Sequence, residues 1–309
     1  MATSILSAKH FHDEAAAYKY VEVRLWPDGP VCPHCGCVER ISKMKGKSTR
    51  IGTYKCYNCR KPFTVKVNTI FESSHVPMHL WLQAIYLIAG SKKGFSSNQL
   101  HRTLGVTLKT AWFMSHRIRT AMKDNNLPPL GGDGEIVEAD ETFIGRKAGV
   151  TKSRGIADMR TVFSVVDRKT GEVRSRVVPN TRQEELIPAM LEEVDRKTFV
   201  MTDDYMGYRY LPYTFAGHDS VKHSAGEYVR GKVHTNTIEG FFSIFKRGMK
   251  GVYQHCGERH LKRYLAEFDF RYTHRLRNGV DDAQRADKVL SGVVGKRLAY
   301  RTATWTPGG

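Results

Sequence analysis

Residues 234–251 read HTNTIEGFFSIFKRGMKG, and this stretch decides how the rest of the chain is interpreted. At about 100° per residue, its apolar side chains form one stripe along a helix predicted over residues 236–249. The stripe consists of Ile238, Phe241, Phe242, Phe245 and Met249, and the other face carries Asn236, Glu239, Ser243 and Lys246. The pattern predicts a helix that packs onto a domain and presents a carboxylate and a lysine for chemistry.

Two acidic segments upstream are the expected partners of this helix. EIVEADE (135–141) is predicted to be a short strand that ends in Asp140, and KTFVMTDD (197–204) a buried strand that ends in Asp203. The residues between them predict a hairpin over 160–180 and then a helix. Strand, strand, strand, helix, strand, helix, strand, helix is the order of an RNase H-like fold, in which the strands of Asp140 and Asp203 are neighbours. Glu239 would then complete a triad.

Three clustered carboxylates cannot all stay ionised cheaply unless cations lie between them. Their oxygens are hard ligands suited to Mg²⁺ or Mn²⁺. Two such ions about 4 Å apart can activate a water or a 3′-hydroxyl and stabilise the leaving oxygen. We therefore predict in-line phosphoryl transfer on DNA. Glu138, Glu141 and Asp204 are neighbouring acids, so the assignment could be shifted by one residue. Alternation favours Asp140 over Glu141, and the position at the strand end favours Asp203 over Asp204.

The cysteines predict a zinc ribbon near the start of the chain. Cys32-Pro-His-Cys35 and Cys56-Tyr-Asn-Cys59 form two pairs, each suited to a tight turn that binds one ion through two thiolates. Zinc prefers such a tetrahedral site, and four thiolates leave no open position for a water, so the role is structural. His34 and Cys37 are alternative ligands nearby, but the spacing favours the four paired cysteines.

The segment FSSNQLHRTLGVTLKTAWFMSHRIRTAM (95–122) predicts two short helices around a turn at Gly105. This is the pattern of a helix-turn-helix, although a small helical bundle looks the same in sequence. The second helix carries polar and basic residues suited to a DNA groove, namely Lys109, Thr110, Arg117 and Arg119. Lys246 and Arg247 on the later helix are also expected to face DNA phosphates.

Composition favours a nucleic-acid partner. The 49 Lys and Arg exceed the 31 Asp and Glu, which gives a net charge of +18 spread along the 309 residues. The sequence shows no membrane-spanning run and no signal peptide, so we expect a cytoplasmic, nucleoid-associated protein without a membrane partner. In a reducing compartment, paired cysteines indicate metal binding rather than disulfides.

The chain as a whole is predicted to be a multidomain α+β protein. We expect an N-terminal helix (1–30), the zinc ribbon (31–74), a helix-turn-helix-like helical domain (75–124) and a Pro- and Gly-rich linker (125–134). An RNase H-like α/β catalytic domain (135–285) and a basic C-terminal tail (286–309) follow.

Several blocks resemble those of a known family. They are WPDGPVCPHCG at the ribbon, EADETFIG, TDDYMGY and HTNTIEGFFSIFKRGMKGVYQH. The chain resembles, over roughly residues 10–280, the DDE-type insertion-sequence transposases with an N-terminal zinc ribbon, the ISXO-like group. The resemblance implies two divalent metals, binding of terminal inverted repeats, and strand cleavage followed by transfer to target DNA.

The resemblance maps two acids onto Asp140 and Asp203 and leaves the third position open. Some members of the group have asparagine in place of the glutamate, followed by a lysine, and here Asn236 and Glu239 share a face. We favour Glu239, because a carboxylate holds Mg²⁺ better than an amide and Lys246 follows two turns later. Asn236 would then be a further ligand or orient one.

The leading hypothesis is therefore a transposase, acting as at least a homodimer on DNA because transposition joins two ends. Two alternatives remain: a non-catalytic DNA-binding regulator derived from a transposase, and another RNase H-like nuclease. Intact Asp140, Asp203 and Glu239 disfavour the regulator. Two N-terminal DNA-binding modules disfavour a nuclease that recognises shape rather than a defined end.

Overall fold

The computed structural model describes residues 4–124, 126–147, 149 and 155–298, and these fall into two compact units. The first unit takes the described residues within 1–89, 97–122 and 286–309. The second takes those within 90–96 and 123–285. The division groups the described C-terminal residues with the first unit, and the finer domain boundaries stay a prediction.

The first unit begins with helix α1 (Glu14–Leu25), whose N-terminus is capped by Asp13 accepting a 2.7 Å hydrogen bond from the backbone N–H of Ala16. Three short antiparallel strands follow in the order β1 (Ile41–Lys43), β2 (Tyr54–Cys56) and β3 (Pro62–Phe63). Cys32, Cys56 and Phe63 form their small buried core. So small a core needs a further stabilising element, which the cysteines are placed to supply through a metal.

Three helices complete this unit: α2 (Met78–Gly90), α3 (Ser97–Leu104) and α4 (Leu108–Met122). Gly105 has a φ of +66°, a conformation that glycine adopts without strain, and it makes the turn between α3 and α4. The Thr107 hydroxyl accepts a 3.1 Å hydrogen bond from the backbone N–H of Thr110 at the start of α4. The predicted pair of helices around Gly105 is therefore confirmed.

The second unit is built on a five-stranded sheet with the order β6-β5-β4-β7-β8. Its strands are β4 (Ile136–Arg146), β5 (Met159–Asp167), β6 (Val173–Val178), β7 (Phe199–Asp203) and β8 (Gly217–Val221). β4, β5 and β6 are antiparallel neighbours, whereas β7 and β8 run parallel to β4. This is the RNase H-like arrangement, and the predicted fold class is confirmed.

Helices cover both faces of the sheet. Helix α5 (Gln183–Glu193) packs on one face, against Val137 and Ala139 of β4. The other face packs against α6 (Asn236–Gly248) and α7 (Leu261–Thr273), where Ile144 of β4 joins the core. Between β8 and α6 lies a two-stranded ribbon of β9 (Val229–Arg230) and β10 (Val233–His234). A π-helical turn, Met249–Tyr253, follows α6, and α8 (Asp282–Ser291) follows α7.

The prediction that the first strand of the sheet ends at Asp140 is wrong, because β4 continues to Arg146. Its antiparallel pairing with β5 extends from Val137 to Arg146, while its parallel pairing with β7 covers only residues 136–138. Asp140 therefore lies inside β4, just past the point where the pairing with β7 stops. A carboxylate there is close to the end of β7 without ending its own strand.

No helix in the described ranges of the chain is long and apolar enough to cross a lipid bilayer.

Candidate active site

The alternation of β4 directs its acids to different faces of the sheet. Glu138 accepts hydrogen bonds from the backbone N–H groups of Thr237 (2.8 Å) and Ile238 (2.9 Å), so its side chain points to α6. Asp140 lies two residues further on and shares that face. Glu141 points the other way and accepts a hydrogen bond from the hydroxyl of Tyr208, which belongs to the core on the α5 side. The alternation thus places Asp140, and not Glu141, opposite α6.

Asp203 is the last residue of β7 and is half-buried, whereas Asp204 is exposed. In the parallel register, Glu138 lies opposite Met201, so residues 140 and 203 are at the same level of the sheet. The two carboxylates are close enough that the negative charge of Asp203 raises the pKa of Asp140. The structure therefore brings together the two strand acids that the sequence predicted.

Helix α6 contributes Glu239 and Lys246, which are both exposed. The hydroxyl of the buried Thr235 donates a 2.9 Å hydrogen bond to Glu239 Oε1 and so helps to orient this carboxylate. The charges of Glu239 and Lys246 both reach Asp140, where the carboxylate raises its pKa and the ammonium group lowers it. The charges of three predicted residues, Asp203, Glu239 and Lys246, thus act on the fourth, Asp140.

Burial and the neighbouring charge of Asp203 favour the protonated form of Asp140. Burial, followed by the charge of Asp203, raises the pKa of Asp140 to about 7, although a 2.7 Å hydrogen bond from the Glu141 backbone N–H acts to lower it. Burial also raises the pKa of Glu141 to about 8, although the hydrogen bond from Tyr208 lowers it. Half-buried carboxylates that repel each other are stabilised by a bound cation. The oxygen-only donor set fits Mg²⁺ or Mn²⁺.

Asn236 and Glu239 are the two candidates for the third position of the triad. Asn236 is the first residue of α6, and its exposed side chain lines a neighbouring cavity together with Tyr272 and Arg275. Glu239, by contrast, acts electrostatically on Asp140. This arrangement favours Glu239, while the assignment of the third ligand stays a proposal. The exposed Arg247 donates a 2.8 Å hydrogen bond to the hydroxyl of Ser243 on the same helix.

Glu138 has a role that the sequence analysis missed. It is fully buried and accepts a 2.6 Å hydrogen bond from Arg168 Nε besides those from the N-terminus of α6. Arg168 also donates to the carbonyl of Lys232 (2.7 Å), and His234 Nδ1 lies 3.3 Å from Glu138. A carboxylate at a helix N-terminus complements both the unpaired N–H groups and the helix dipole. Glu138 therefore anchors α6 to β4. The signal in the sequence was its shared alternation with Asp140.

The four paired cysteines form a compact cluster in the first unit. Cys32 Sγ lies 3.6 Å from Cys59 Sγ, and Cys35 Sγ lies 3.7 Å from Cys56 Sγ. Thiolates bound to one tetrahedral zinc stand about 3.8 Å apart, whereas a disulfide would require about 2 Å. The cluster therefore supports a structural zinc site. His34 and Cys37, the alternative ligands, lie outside the group.

Among the residues that the structure describes, these cysteines are the one group of three or more metal-binding side chains whose ligand atoms all lie within 4.8 Å of one another. Asp140, Asp203 and Glu239 do not form so compact a group.

The prediction that Arg117 and Arg119 face a DNA groove is wrong, because both are buried in the first unit. Arg117 Nη1 donates to the carbonyls of Ile70 (2.6 Å) and Glu72 (2.8 Å), and Arg119 Nη1 donates to Ser115 Oγ (3.2 Å). Basic residues on a short helix look alike in sequence whether they bind DNA or hold neighbouring carbonyls. Lys109 and Thr110, in the exposed first turn of α4, remain as candidates.

Comparison with known sequences identifies two domains. Residues 129–273 match the family model of the ISXO2-like transposase domain, and residues 12–62 match that of the transposase zinc-ribbon domain. A protein from Halobacterium salinarum, described as an uncharacterised protein in transposable element ISH50, is 29% identical over 286 residues. That alignment covers 86% of this chain and 93% of the relative.

Two solved structures are also similar to the chain. The catalytic core domain of HTLV-2 integrase, in complex with magnesium, is 12% identical with a TM-score of 0.28; the match covers 45% of this chain and 86% of that one. The intasome of simian T-cell lymphotropic virus, in complex with a PP2A regulatory subunit, is 14% identical with a TM-score of 0.30, covering 55% and 63%.

Proposed function

The chain belongs to the family of ISXO2-like transposases with an N-terminal zinc ribbon, and from this premise we propose that it cleaves and joins DNA strands by metal-dependent phosphoryl transfer. The observation that carries the proposal is the convergence of Asp140, Asp203 and Glu239 beside Lys246. The substrates are the terminal inverted repeats of its own element and a target DNA. A homodimer or higher oligomer on DNA is expected, since two ends must be joined.

The carboxylates of Asp140, Asp203 and Glu239 would hold two Mg²⁺ or Mn²⁺ ions. When bound, such ions activate a water or a 3′-hydroxyl for in-line attack and stabilise the leaving oxygen. The protein's own contribution is to position these groups. Thr235 holds Glu239, and Glu138 fixes the helix that carries it. Lys246 supplies a positive charge for a phosphate on the same face of α6.

The first unit is proposed to recognise the DNA ends. Its zinc ribbon carries the exposed lysines Lys43, Lys45 and Lys47. At the start of α4, the second helix of the predicted helix-turn-helix, Lys109 is exposed and Thr110 is half-buried. In such motifs, the N-terminal residues of the second helix contact base edges in the major groove. Lys246 and Arg247 would contact phosphates near the cleaved bond.

A strand-transfer assay tests this function. Purified, zinc-loaded protein is incubated with labelled duplex from the flanks of its own gene and a supercoiled target, in Mg²⁺ or in EDTA. Asp203→Asn is compared with Asp204→Asn, its exposed neighbour, which removes the same charge one residue later. We expect joined product that requires metal, disappears with Asp203→Asn and persists with Asp204→Asn.

Other outcomes would reassign the function. Metal-dependent cleavage without joining would identify a nuclease. Tight binding of the end duplex with no reaction in Mg²⁺ or Mn²⁺ would identify a DNA-binding regulator. Equal loss of product in the Asp203 and Asp204 variants would contradict the assignment of Asp203 as the second carboxylate.

A further inference from the structure

A basic cavity of about 560 Å³ lies beside the face of α6 that carries Glu239. Asn236, Gly240 and Ile244, one turn apart along α6, form one wall. Tyr272, Arg275 and Arg277 from the end of α7 and the following turn contribute another, and Arg168 and Lys169 lie at its edge. All of these residues belong to the second unit.

The positive charges around this cavity are not equally available. Arg168 is ion-paired with Glu138 at 2.6 Å, and Lys169 is ion-paired with Glu135 at 2.5 Å. Neither Arg275 nor Arg277 forms an ion pair with any residue in the described parts of the chain. No acidic residue in the described ranges of the chain lines the cavity. It therefore carries two uncompensated guanidinium groups, which favour an anion.

Arg275 is held in position by its surroundings. Its guanidinium group stacks on the ring of Tyr272, 3.8 Å from the ring centre. The hydroxyl of Tyr272 in turn donates a 3.1 Å hydrogen bond to the carbonyl of Thr237 in the first turn of α6. The Nε atom of Arg275 is buried and has no hydrogen-bond partner among the described residues. A buried donor without an acceptor is unfavourable, so a ligand that supplies an acceptor oxygen would bind favourably.

The position of the cavity indicates which ligand would supply an acceptor oxygen to Arg275. Asn236 lies three residues from Glu239, or about 4.5 Å along the helix axis. The cavity is therefore adjacent to the place where the proposed function puts a DNA phosphate. The planar guanidinium fork matches the geometry of phosphate oxygens.

We infer that this cavity holds a backbone phosphate of the bound DNA strand next to the one at the carboxylate cluster. Arg275 and Arg277 are its ligands, and the Asn236 amide is a further hydrogen-bonding group at its edge. Asn236 then positions the DNA, while Glu239 belongs to the acidic triad. This inference rests on the proposed function, because it requires that the second unit binds DNA.

The test measures binding rather than reaction, so that it does not depend on catalysis. Fluorescence anisotropy follows a labelled end duplex in EDTA over a range of salt concentrations. The variant Arg275→Gln/Arg277→Gln is compared with Arg196→Gln/Lys197→Gln, which removes two exposed positive charges after α5, on the other face of the sheet. We expect the cavity variant to bind more weakly and its salt slope to decrease by about 1, as for the loss of one phosphate contact.

Duplexes in which a single phosphate is neutralised identify the phosphate that occupies the cavity. Duplexes with one methylphosphonate at successive positions near the cleaved bond are bound to wild type and to both variants. One position should weaken wild-type binding at least about threefold and have no further effect on the cavity variant. An equal effect of every position on all three proteins would overturn the inference, as would identical affinities and salt slopes of the two variants.

Two further arms complete the test. Arg277→Gln alone changes an exposed residue and should reproduce part of the loss, which guards against misfolding of a variant at the stacked Arg275. Inorganic phosphate at constant ionic strength reports on a free anion. If it raises the melting temperature of wild type but not of the cavity variant, while DNA binding is equal in both, the cavity is a site for free phosphate and the DNA assignment is wrong. Failure of strand transfer with cavity-dependent binding intact would count against the proposed catalysis and not against this site.

Discussion

The carboxylate of Glu138, inside the central strand of the sheet, accepts a 2.9 Å hydrogen bond from the backbone N–H of Ile238 in the first turn of α6. The same carboxylate accepts a 2.6 Å hydrogen bond from Arg168. It thereby joins the strand that carries Asp140 to the helix that carries Glu239. This buried carboxylate therefore contributes to the relative position of the two acids, together with the apolar packing of α6 on the sheet.

Replacing Glu138 by Gln should loosen α6. The substitution removes the charge that compensates Arg168 and puts an amide beside helix N–H groups, and breaking a buried pair in this way costs about 3–5 kcal/mol. Hydrogen exchange followed by mass spectrometry should show faster exchange in the peptide spanning α6. Glu135→Gln, which breaks the more exposed pair with Lys169, should cost less than about 1 kcal/mol and leave α6 unchanged. Equal exchange of α6 in wild type and Glu138→Gln would contradict the anchoring role.

The choice between Glu239 and Asn236 can be made by comparing their variants in end cleavage. Glu239→Gln should lower the cleavage rate at least about a hundredfold, the order of loss when one group that stabilises the transition state is removed. Asn236→Ala should retain most of the rate at saturating DNA, because its side chain lines the neighbouring cavity. Single-turnover rates in Mg²⁺ provide the measurement. The reverse order of losses would assign Asn236 to the metal site.

Asp269 on α7 should make stability depend on pH. Burial raises its pKa from 3.8 to about 8, against two hydrogen bonds from Ser175 that lower it. Between these pH values, the folded state holds a proton that the unfolded state releases. Its contribution to stability is therefore complete below about pH 4 and is lost as the pH rises through about 8.

The melting temperature should accordingly fall between about pH 5 and pH 9, and it should fall less in Asp269→Asn. Each 1 kcal/mol corresponds to roughly 2–4 °C for a domain of this size. Asp133→Asn, at an exposed position, serves as the control and should follow wild type. An Asp269→Asn curve parallel to that of wild type would show that this carboxyl group does not titrate in the range.

Zinc binding should require the four paired cysteines and no other cysteine. Cys35→Ser should lose the bound metal and expose the ribbon to protease, because the metal contributes much of the folding energy of so small a domain. Cys37→Ser should retain one zinc per chain, since Cys37 lies outside the cluster. Metal analysis and limited proteolysis check both outcomes. Loss of zinc in Cys37→Ser would mean that the ligand set is different.

In the first unit, substitution of an exposed lysine should affect DNA binding, whereas substitution of a buried arginine should affect stability. Lys109→Gln should weaken binding of the end duplex and lower the salt slope by about 1. Arg117→Gln should instead lower the melting temperature, because the carbonyls of Ile70 and Glu72 lose their donor. Anisotropy and thermal unfolding of both variants provide the comparison. A destabilised Lys109→Gln with unchanged DNA affinity would remove α4 from the proposed interface.

Local patterns in the sequence were sufficient for several of these features. The spacing of the four cysteines predicted the cluster, because each pair closes a turn that depends on few other residues. The stripe of Ile238, Phe241 and Phe245 predicted which face of α6 is buried. Alternation in β4 and the end of β7 led to the choice of Asp140 and Asp203, and in the structure the charge of Asp203 acts on Asp140.

Features that depend on tertiary contacts could not be read in the same way. The length of β4 is set by its pairing with β5, and the role of Glu138 by a helix far along the chain. Arg117 and Arg119 looked like groove contacts, because the carbonyl and hydroxyl groups they bind are brought to them only by folding. A charged side chain in a sequence does not show whether its partner is solvent, DNA or the protein itself.

The parallel pairing of β4 with β7 also determines when the candidate site can form during synthesis of the chain. β4 and β5 are neighbours in the sequence and form a hairpin. β7 can pair with β4 only after β5, β6 and α5, which precede it in the chain, have been synthesised. Contacts between distant segments form slowly, because the entropy of closing the loop is lost before they are made. Glu239 comes later still, on α6. A chain leaving the ribosome can therefore form its ribbon well before the three acids can meet, and a product truncated before α6 lacks Glu239 altogether.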